Sequence, residues 1–238
     1  MKSVAIIIPT LNEEKNIANA IKITEGFINN NDFKNYTTRL FVVDGNSQDK
    51  TVSIVKDLKK EFNNLFILQT HKGRGHQLTY AIENILSDYI IYMDCDLSTP
   101  IRFLLPMMKS LLNYDIVIGS RFLKESKAKR SFKRNFFGRS YSILTRLLFK
   151  TPFLDYQCGF KGFQRSKILP ILKNVKDKNW FWDTEVIIRS YFSGLSIKEM
   201  PIEWKERENS KVNVLKDSFF MGKSLLKLFF DFKFHKNL

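Results

Sequence analysis

Asp94 and Asp96 stand two apart directly after the apolar run Tyr89 to Met93. In an extended segment that spacing puts two carboxylates on one side and turns Cys95 to the other. Such a pair suits one hard cation, Mg2+ or Mn2+, whose shell a substrate's phosphates complete; an acidic turn with no ligand has the same spacing. Upstream, Lys72-Gly73-Arg74-Gly75 precedes a helical pattern, where unpaired backbone N–H groups and the helix dipole attract an anion. Asp44, before Gly45, could accept hydrogen bonds from a base or ribose, or simply form an Asp-Gly turn leading to a helix cap. The first strand is followed by no GxGxxG, and no GxxxxGK with Ser or Thr occurs, which counts against a dinucleotide oxidoreductase and a P-loop NTPase.

These groups need a scaffold that delivers them to one edge. The runs Val4 to Ile8, Leu40 to Val43, Leu65 to Leu68, Tyr89 to Met93 and Asp115 to Ile118 read as strands of a parallel sheet covered on both faces. Amphipathic patterns alternate with them: Ile17 to Ile28, Val52 to Phe62, Leu78 to Ile85, and Ile101 to Leu111. Ser47 and Asp49 are candidate caps for the second helix, and Ser98 or Thr99 with Pro100 can open the fourth. The fold class is therefore α/β, an open, mostly parallel sheet flanked by helices. In such sheets the ligand crevice lies beyond the carboxyl ends of the strands, where the polar residues of this chain collect. Later come a Gly- and aromatic-rich loop at 155–163, a helical pattern from Asp183 to Phe192, a strand near Ile197 to Ile202, and an amphipathic tail from Val214 to His235.

With 238 residues, 44% of them hydrophobic, a sizeable core is expected. Cys95 and Cys158 have no zinc or disulfide spacing, and no window reaches the roughly 20 apolar residues of a spanning helix. The expected location is the cytoplasm, peripheral on the cytoplasmic face of the membrane. The formal charge of +15 favours anionic partners, and its distribution is uneven: between Arg121 and Lys150 ten basic residues accompany one acid, Glu125. Phe132, Phe136, Phe137 and Tyr141 interleave with them, which admits a nucleic-acid surface. That reading leaves the strand-end carboxylates unexplained, and no nucleic-acid partner is expected.

Pro9-Thr10-Leu11-Asn12-Glu13, Val43-Asp44-Gly45-Asn46-Ser47, Lys72-Gly73-Arg74-Gly75, Met93-Asp94-Cys95-Asp96 and Gly119-Ser120-Arg121-Phe122 resemble, in that order, the motifs of family 2 glycosyltransferases of GT-A fold. Asp155 to Phe163, Trp182-Asp183-Thr184-Glu185 and Pro201-Ile202-Glu203-Trp204 resemble the branch of dolichyl- and polyprenyl-phosphate glucose and mannose synthases. The resemblance covers about residues 3–212 and implies a GT-A (Rossmann-like) domain over 1–212, with a nucleotide-binding half (1–98), an acceptor half (99–212) and an amphipathic tail (213–238). It implies that Pro9, Leu11, Glu13, Asp44, Lys72, Gly73 and Asp94 bind the nucleotide sugar, and that Asp94 and Asp96 hold Mg2+ or Mn2+. Arg121, Lys161, Arg207 and Lys211 would contact the acceptor phosphate.

The expected partners are a nucleotide-sugar donor, a lipid-phosphate acceptor and an anionic membrane surface. A phosphate monoester, with a second pKa of about 6, attacks without a general base at neutral pH. A sugar hydroxyl, the alternative acceptor, needs one, and Asp183 and Glu185 are the candidates; as acids at a helix start they also favour the dipole.

Overall fold

The computed structural model describes residues 1–29, 32–206 and 214–234. Its main sheet has seven strands in the order β3-β2-β1-β4-β7-β5-β8. These are β1 (Ser3–Thr10), β2 (Thr37–Asp44), β3 (Leu65–Gln69), β4 (Tyr89–Tyr92), β5 (Ile116–Ser120), β7 (Lys161–Gln164) and β8 (Ile197–Pro201). All pairings are parallel except those of β7, which lies antiparallel between β4 and β5. A small second sheet pairs β6 (Lys127–Lys129) with β9 (Glu203–Lys205).

The continuous apolar strands follow from double coverage. Along β1 the side chains divide with the pleat: Ala5 and Ile7 join one hydrophobic cluster, and Val4, Ile6 and Ile8 the other. Helices α1 (Ile17–Asn29), α2 (Thr51–Leu58) and α4 (Leu104–Leu111) cover the second face. The first is covered by α3 (Arg74–Asn84), α5 (Phe132–Phe149), α6 (Arg165–Leu172), α7 (Trp182–Phe192) and α8 (Val214–Phe234). The expected α/β class thus holds, with β6, β7, β9 and α6 added to it.

Helix starts differ in detail from the sequence expectation. Asp49 Oδ1 accepts from the N–H and hydroxyl of Thr51 at the start of α2, but Ser47 Oγ turns to Asp44 instead (2.5 Å). Ser98 and Thr99 are buried. Pro100 opens a 3-10 turn, Ile101–Phe103, from which α4 continues.

Candidate active site

Strand register assembles the site. Thr10 pairs with Asp44 and Asp44 with Gln69, so the segments after β1, β2 and β3 leave the sheet at one edge. The Met93 N–H donates to Ile7 C=O (3.0 Å), bringing the Asp94 segment beside them. Gln77, buried on α3 and absent from the sequence candidates, donates from Nε2 to Thr10 C=O and Val43 C=O, both at 2.7 Å. It ties the first two strand ends together.

On the expected nucleotide side, Pro9 ends buried in β1, and Leu11 and Glu13 are partly exposed beyond it. The Glu13 N–H donates to Thr51 Oγ1 (2.7 Å), and its carboxylate accepts from Asn16 Nδ2 (2.7 Å). Asp44 is fully buried and accepts from the Ser47 N–H (3.0 Å) as well as its hydroxyl, so it builds the turn into α2. Lys72 is exposed. Gly73 adopts φ +131°, and a Cβ there would come within 2.5 Å of Lys178 C=O, so both conformation and space demand glycine. Leu97, immediately after the acidic pair, holds a left-handed φ of 51°, a strained state for a branched side chain at a site edge.

The two aspartates do not share a strand face, because β4 ends at Tyr92 and residues 94–96 turn out of it. Asp94 Oδ1 pairs with Arg74 Nη1 (2.7 Å). Asp96 folds onto the next turn, accepting from the Ser98 N–H (2.9 Å) and hydroxyl (2.7 Å). Burial raises the Asp94 carboxyl above its ordinary range; the Arg74 guanidinium opposes that and neighbouring Asp96 adds to it. Arg74 sits 5.5 Å from the ring centroids of Tyr92 and Trp180, and its Nη2 is buried without a hydrogen-bond partner. A guanidinium with an unused donor beside Asp94 is arranged to receive an anion.

Gly159 lies against the same carboxylate, and a Cβ there would fall inside it. Gly159→Ala is therefore expected to displace Asp94 and lower turnover roughly 100-fold, with melting changed by only a few degrees. Turnover and thermal melting measured together check this; undiminished turnover would show that the Asp94 position is irrelevant to the chemistry.

Three sequence candidates are engaged in buried ion pairs. Lys161, expected at a phosphate, is fully buried: its Nζ donates to Asp183 Oδ1 (2.7 Å) and to Cys158 C=O. The antiparallel strand β7 points it into the core. Asp183 is closed in by Lys161, the Tyr92 hydroxyl and Arg74 Nε (3.3 Å). Burial opposes its ionisation, but Lys161 and Arg74 outweigh it and hold the carboxyl below the usual range. Glu185 accepts from Arg189 Nε (2.7 Å) and from the N–H groups of Lys176 (3.1 Å) and Asp177 (2.9 Å). Both acids lie in the first turn of α7 and are engaged in ion pairs. Arg207 and Lys211 lie outside the described residues.

Arg121 is buried and bidentate on Asp155, Nε to Oδ2 (2.7 Å) and Nη2 to Oδ1 (2.8 Å). Burial opposes the Asp155 charge, and Arg121 outweighs it, drawing that carboxyl below its ordinary range. Beside it stands Arg130, which spacing alone did not single out. Its guanidinium lies 5.4 Å from the Phe122 centroid and 5.6 Å from that of Trp204, the two rings that Arg121 also faces. Its Nε and Nη1 are buried with no hydrogen-bond partner. The nearby acids are engaged, Asp155 by Arg121 and Glu206 by Arg134 (3.0 Å). Burial and the Arg121 charge push the Arg130 guanidinium down to about 10, still charged at neutral pH, with Asp155 and Glu206 offsetting only part of the shift.

Residues 5–170 match the model of the glycosyl transferase family 2. The chain is 31% identical to glycosyltransferase AglD of Haloferax volcanii over 94% of its own length and 36% of that protein's. It is 30% identical to dolichyl-phosphate beta-glucosyltransferase ALG5A of Trichomonas vaginalis, over 88% of this chain and 68% of the relative. Among solved structures, glucosyl-3-phosphoglycerate synthase of Mycobacterium tuberculosis, determined with Mn2+, UDP and glucosyl-3-phosphoglycerate, superimposes with a TM-score of 0.72 at 14% identity. That match covers 96% of this chain and 80% of the synthase, so the two share a fold. With the ordered motifs on the strand ends of that fold, the chain belongs to glycosyltransferase family 2.

Proposed function

We propose that this enzyme transfers a hexose, with inversion, from a nucleoside-diphosphate sugar of UDP-glucose or GDP-mannose type to the phosphate of a polyprenyl or dolichyl lipid. The observation that carries the reading is Arg130: buried donors without a partner, beside a second arginine, in the most basic part of the chain. A dianionic phosphate supplies what that guanidinium lacks. The names of relatives such as the Trichomonas dolichyl-phosphate beta-glucosyltransferases support a lipid phosphate over a free one.

The chemistry needs little from acid–base groups. An ionised acceptor phosphate oxygen forms a bond to the anomeric carbon as the bond to the donor's diphosphate breaks, and no proton must be removed. Asp183 and Glu185, held in ion pairs, are consistent with an acceptor that needs no base. Arg74 Nη2 faces the leaving diphosphate in this reading, and Arg130 holds the incoming phosphate. Asp94 and Asp96 fit a divalent cation: two carboxylates leave positions for phosphate oxygens, and the missing Cβ of Gly159 keeps room at Asp94. Bound there, Mg2+ or Mn2+ would neutralise charge developing on the departing nucleoside diphosphate.

The test is a panel of nucleotide sugars offered with a short polyprenyl phosphate and, separately, with the matching prenyl alcohol. Arg130→Ala is expected to lower kcat/KM for the phosphate roughly 10- to 150-fold, as loss of a hydrogen bond to a charged group implies, and to leave the donor's Kd unchanged. Transfer to the alcohol and not to the phosphate would overturn the reading.

A further inference from the structure

Helices α5 and α8 pack together, with Phe149 of α5 meeting Phe229 (5.9 Å) and Phe232 (5.8 Å) of α8 edge to face. Their inner faces join one core: Tyr141 and Phe149 from α5, Met221, Leu225 and Leu228 from α8. Phe219, Leu226 and Phe230 of α8 lie off that inner face. Opposite the core, α5 presents Phe132 (84% exposed), Phe136 and Leu147 (71%), and α8 presents Phe219 (73%), Phe230 and Phe234 (68%). Both sets repeat at helical spacing, so each forms a stripe along its helix rather than scattered single residues.

Charge selects what covers these stripes. Arg139 and Arg146 of α5 and Lys150 just beyond its end are exposed, as are Lys223, Lys227 and Lys233 of α8. α5 contains no acid. On α8 the carboxylate of Asp231 is drawn aside to Lys176 (3.0 Å). A second copy of the chain would set these cations against their own kind, whereas a bilayer with anionic headgroups takes the aromatic rings and the lysines and arginines together. Position agrees with this. Gly138, near the start of α5, packs against Arg130, and Met221 of α8 meets Gln157, whose N–H donates to Asp155, the partner of Arg121. Both of these contacts lie on the inner side of the helices; on the outer side the exposed Phe132 follows Arg130 by two residues, so the α5 stripe begins beside the arginine pair. Among the described residues no helix is long and apolar enough to cross a membrane.

We infer that the outward face of the α5–α8 pair lies in the interface of an anionic lipid bilayer, with the Arg121–Arg130 pair next to the headgroups. The inference rests on the lipid-phosphate reading for its biological sense, but it is tested separately. Flotation of the full chain is measured with vesicles of phosphatidylcholine alone and of phosphatidylcholine with phosphatidylglycerol, at low and high salt. The expected result is recovery with the anionic vesicles, weakened by salt. Phe219→Ser with Phe230→Ser, both on exposed positions, should reduce partitioning at least roughly tenfold, and Lys223→Glu with Lys227→Glu should abolish the preference for anionic lipid. Both variants should keep the wild-type melting temperature and full transfer to a short, water-soluble prenyl phosphate. Equal recovery with both vesicle types, or unchanged flotation of both variants, would overturn the inference. So would self-association that the Phe variants abolish, without vesicle binding. Flotation without transfer to any lipid phosphate would instead sink the acceptor reading and leave the surface standing.

Discussion

Asp96→Asn is expected to lower turnover roughly 10²–10³-fold, the loss that follows removal of one preorganised electrostatic stabiliser of a leaving group. Asp96 is not a residue whose loss unfolds the protein: it sits in a turn and its hydrogen bonds go to Ser98, two residues on. The amide oxygen of Asn can still accept from the Ser98 N–H, so the turn is retained while the charge goes. What disappears, in the proposed reading, is one of the two carboxylates that would hold the metal. Asp94 cannot compensate, because Arg74 already occupies one of its oxygens and burial disfavours its charge. The measurement is turnover against concentration of Mn2+ or Mg2+, paired with Mn2+ affinity by electron paramagnetic resonance, which reads the site without catalysis. Wild-type turnover together with wild-type Mn2+ affinity would remove Asp96 from the site.

The contrast between Asp96 and Lys161 shows where sequence reasoning reaches and where it stops. Strands such as Val4 to Ile8 and Tyr89 to Tyr92 are legible because a doubly covered parallel strand must be apolar throughout, and turns at their ends collect the polar groups that double coverage forbids inside. The order of those turns, and so the family, comes with them. β7 is a different case. Lys161-Gly162-Phe163-Gln164 is too short and too mixed to announce a strand; the slot between β4 and β5 makes it one and carries Lys161 to Asp183, 22 positions away in sequence. A lysine near a glycine-rich loop then looks like a phosphate ligand when it is a buried counter-ion. The same limit hides Arg130. Ten basic residues share its segment, and only the packing of Phe122, Trp204 and Gly138 around one of them makes its guanidinium buried and unpaired. On α8, aromatic residues occur on every side, so periodicity alone cannot tell which side meets α5.

Asp183 is where a structural and a chemical role make opposite predictions. Asp183→Asn leaves the Lys161 ammonium in a fully buried position with its compensating charge gone. Breaking a buried pair in this way typically costs about 3–5 kcal/mol, which for a chain of this size corresponds to a fall in Tm of roughly 6–20 °C. The linkage has a definite sign. Asp183 has a folded-state pKa below its unfolded value, so its contribution is present above the unfolded carboxylate range and is lost as pH falls through the depressed folded value. The stability difference between wild type and Asp183→Asn should accordingly be full at neutral pH and shrink at acid pH. Replacing Lys161 as well, in Asp183→Asn with Lys161→Met, removes the stranded ammonium and should recover a large part of the lost Tm. Catalysis separates the roles further. Arg74 is shared between Asp183 and Asp94; freed from Asp183 it binds Asp94 more tightly and competes with a cation there. Below its Tm the single variant should therefore need more metal, yet approach wild-type kcat within about tenfold at saturation. Loss of a general base would instead cost 10²–10⁴-fold at any metal concentration. A loss of that size in the folded variant, unrelieved by metal and by the Lys161→Met partner, would return Asp183 to the role of a base and favour a sugar hydroxyl as acceptor.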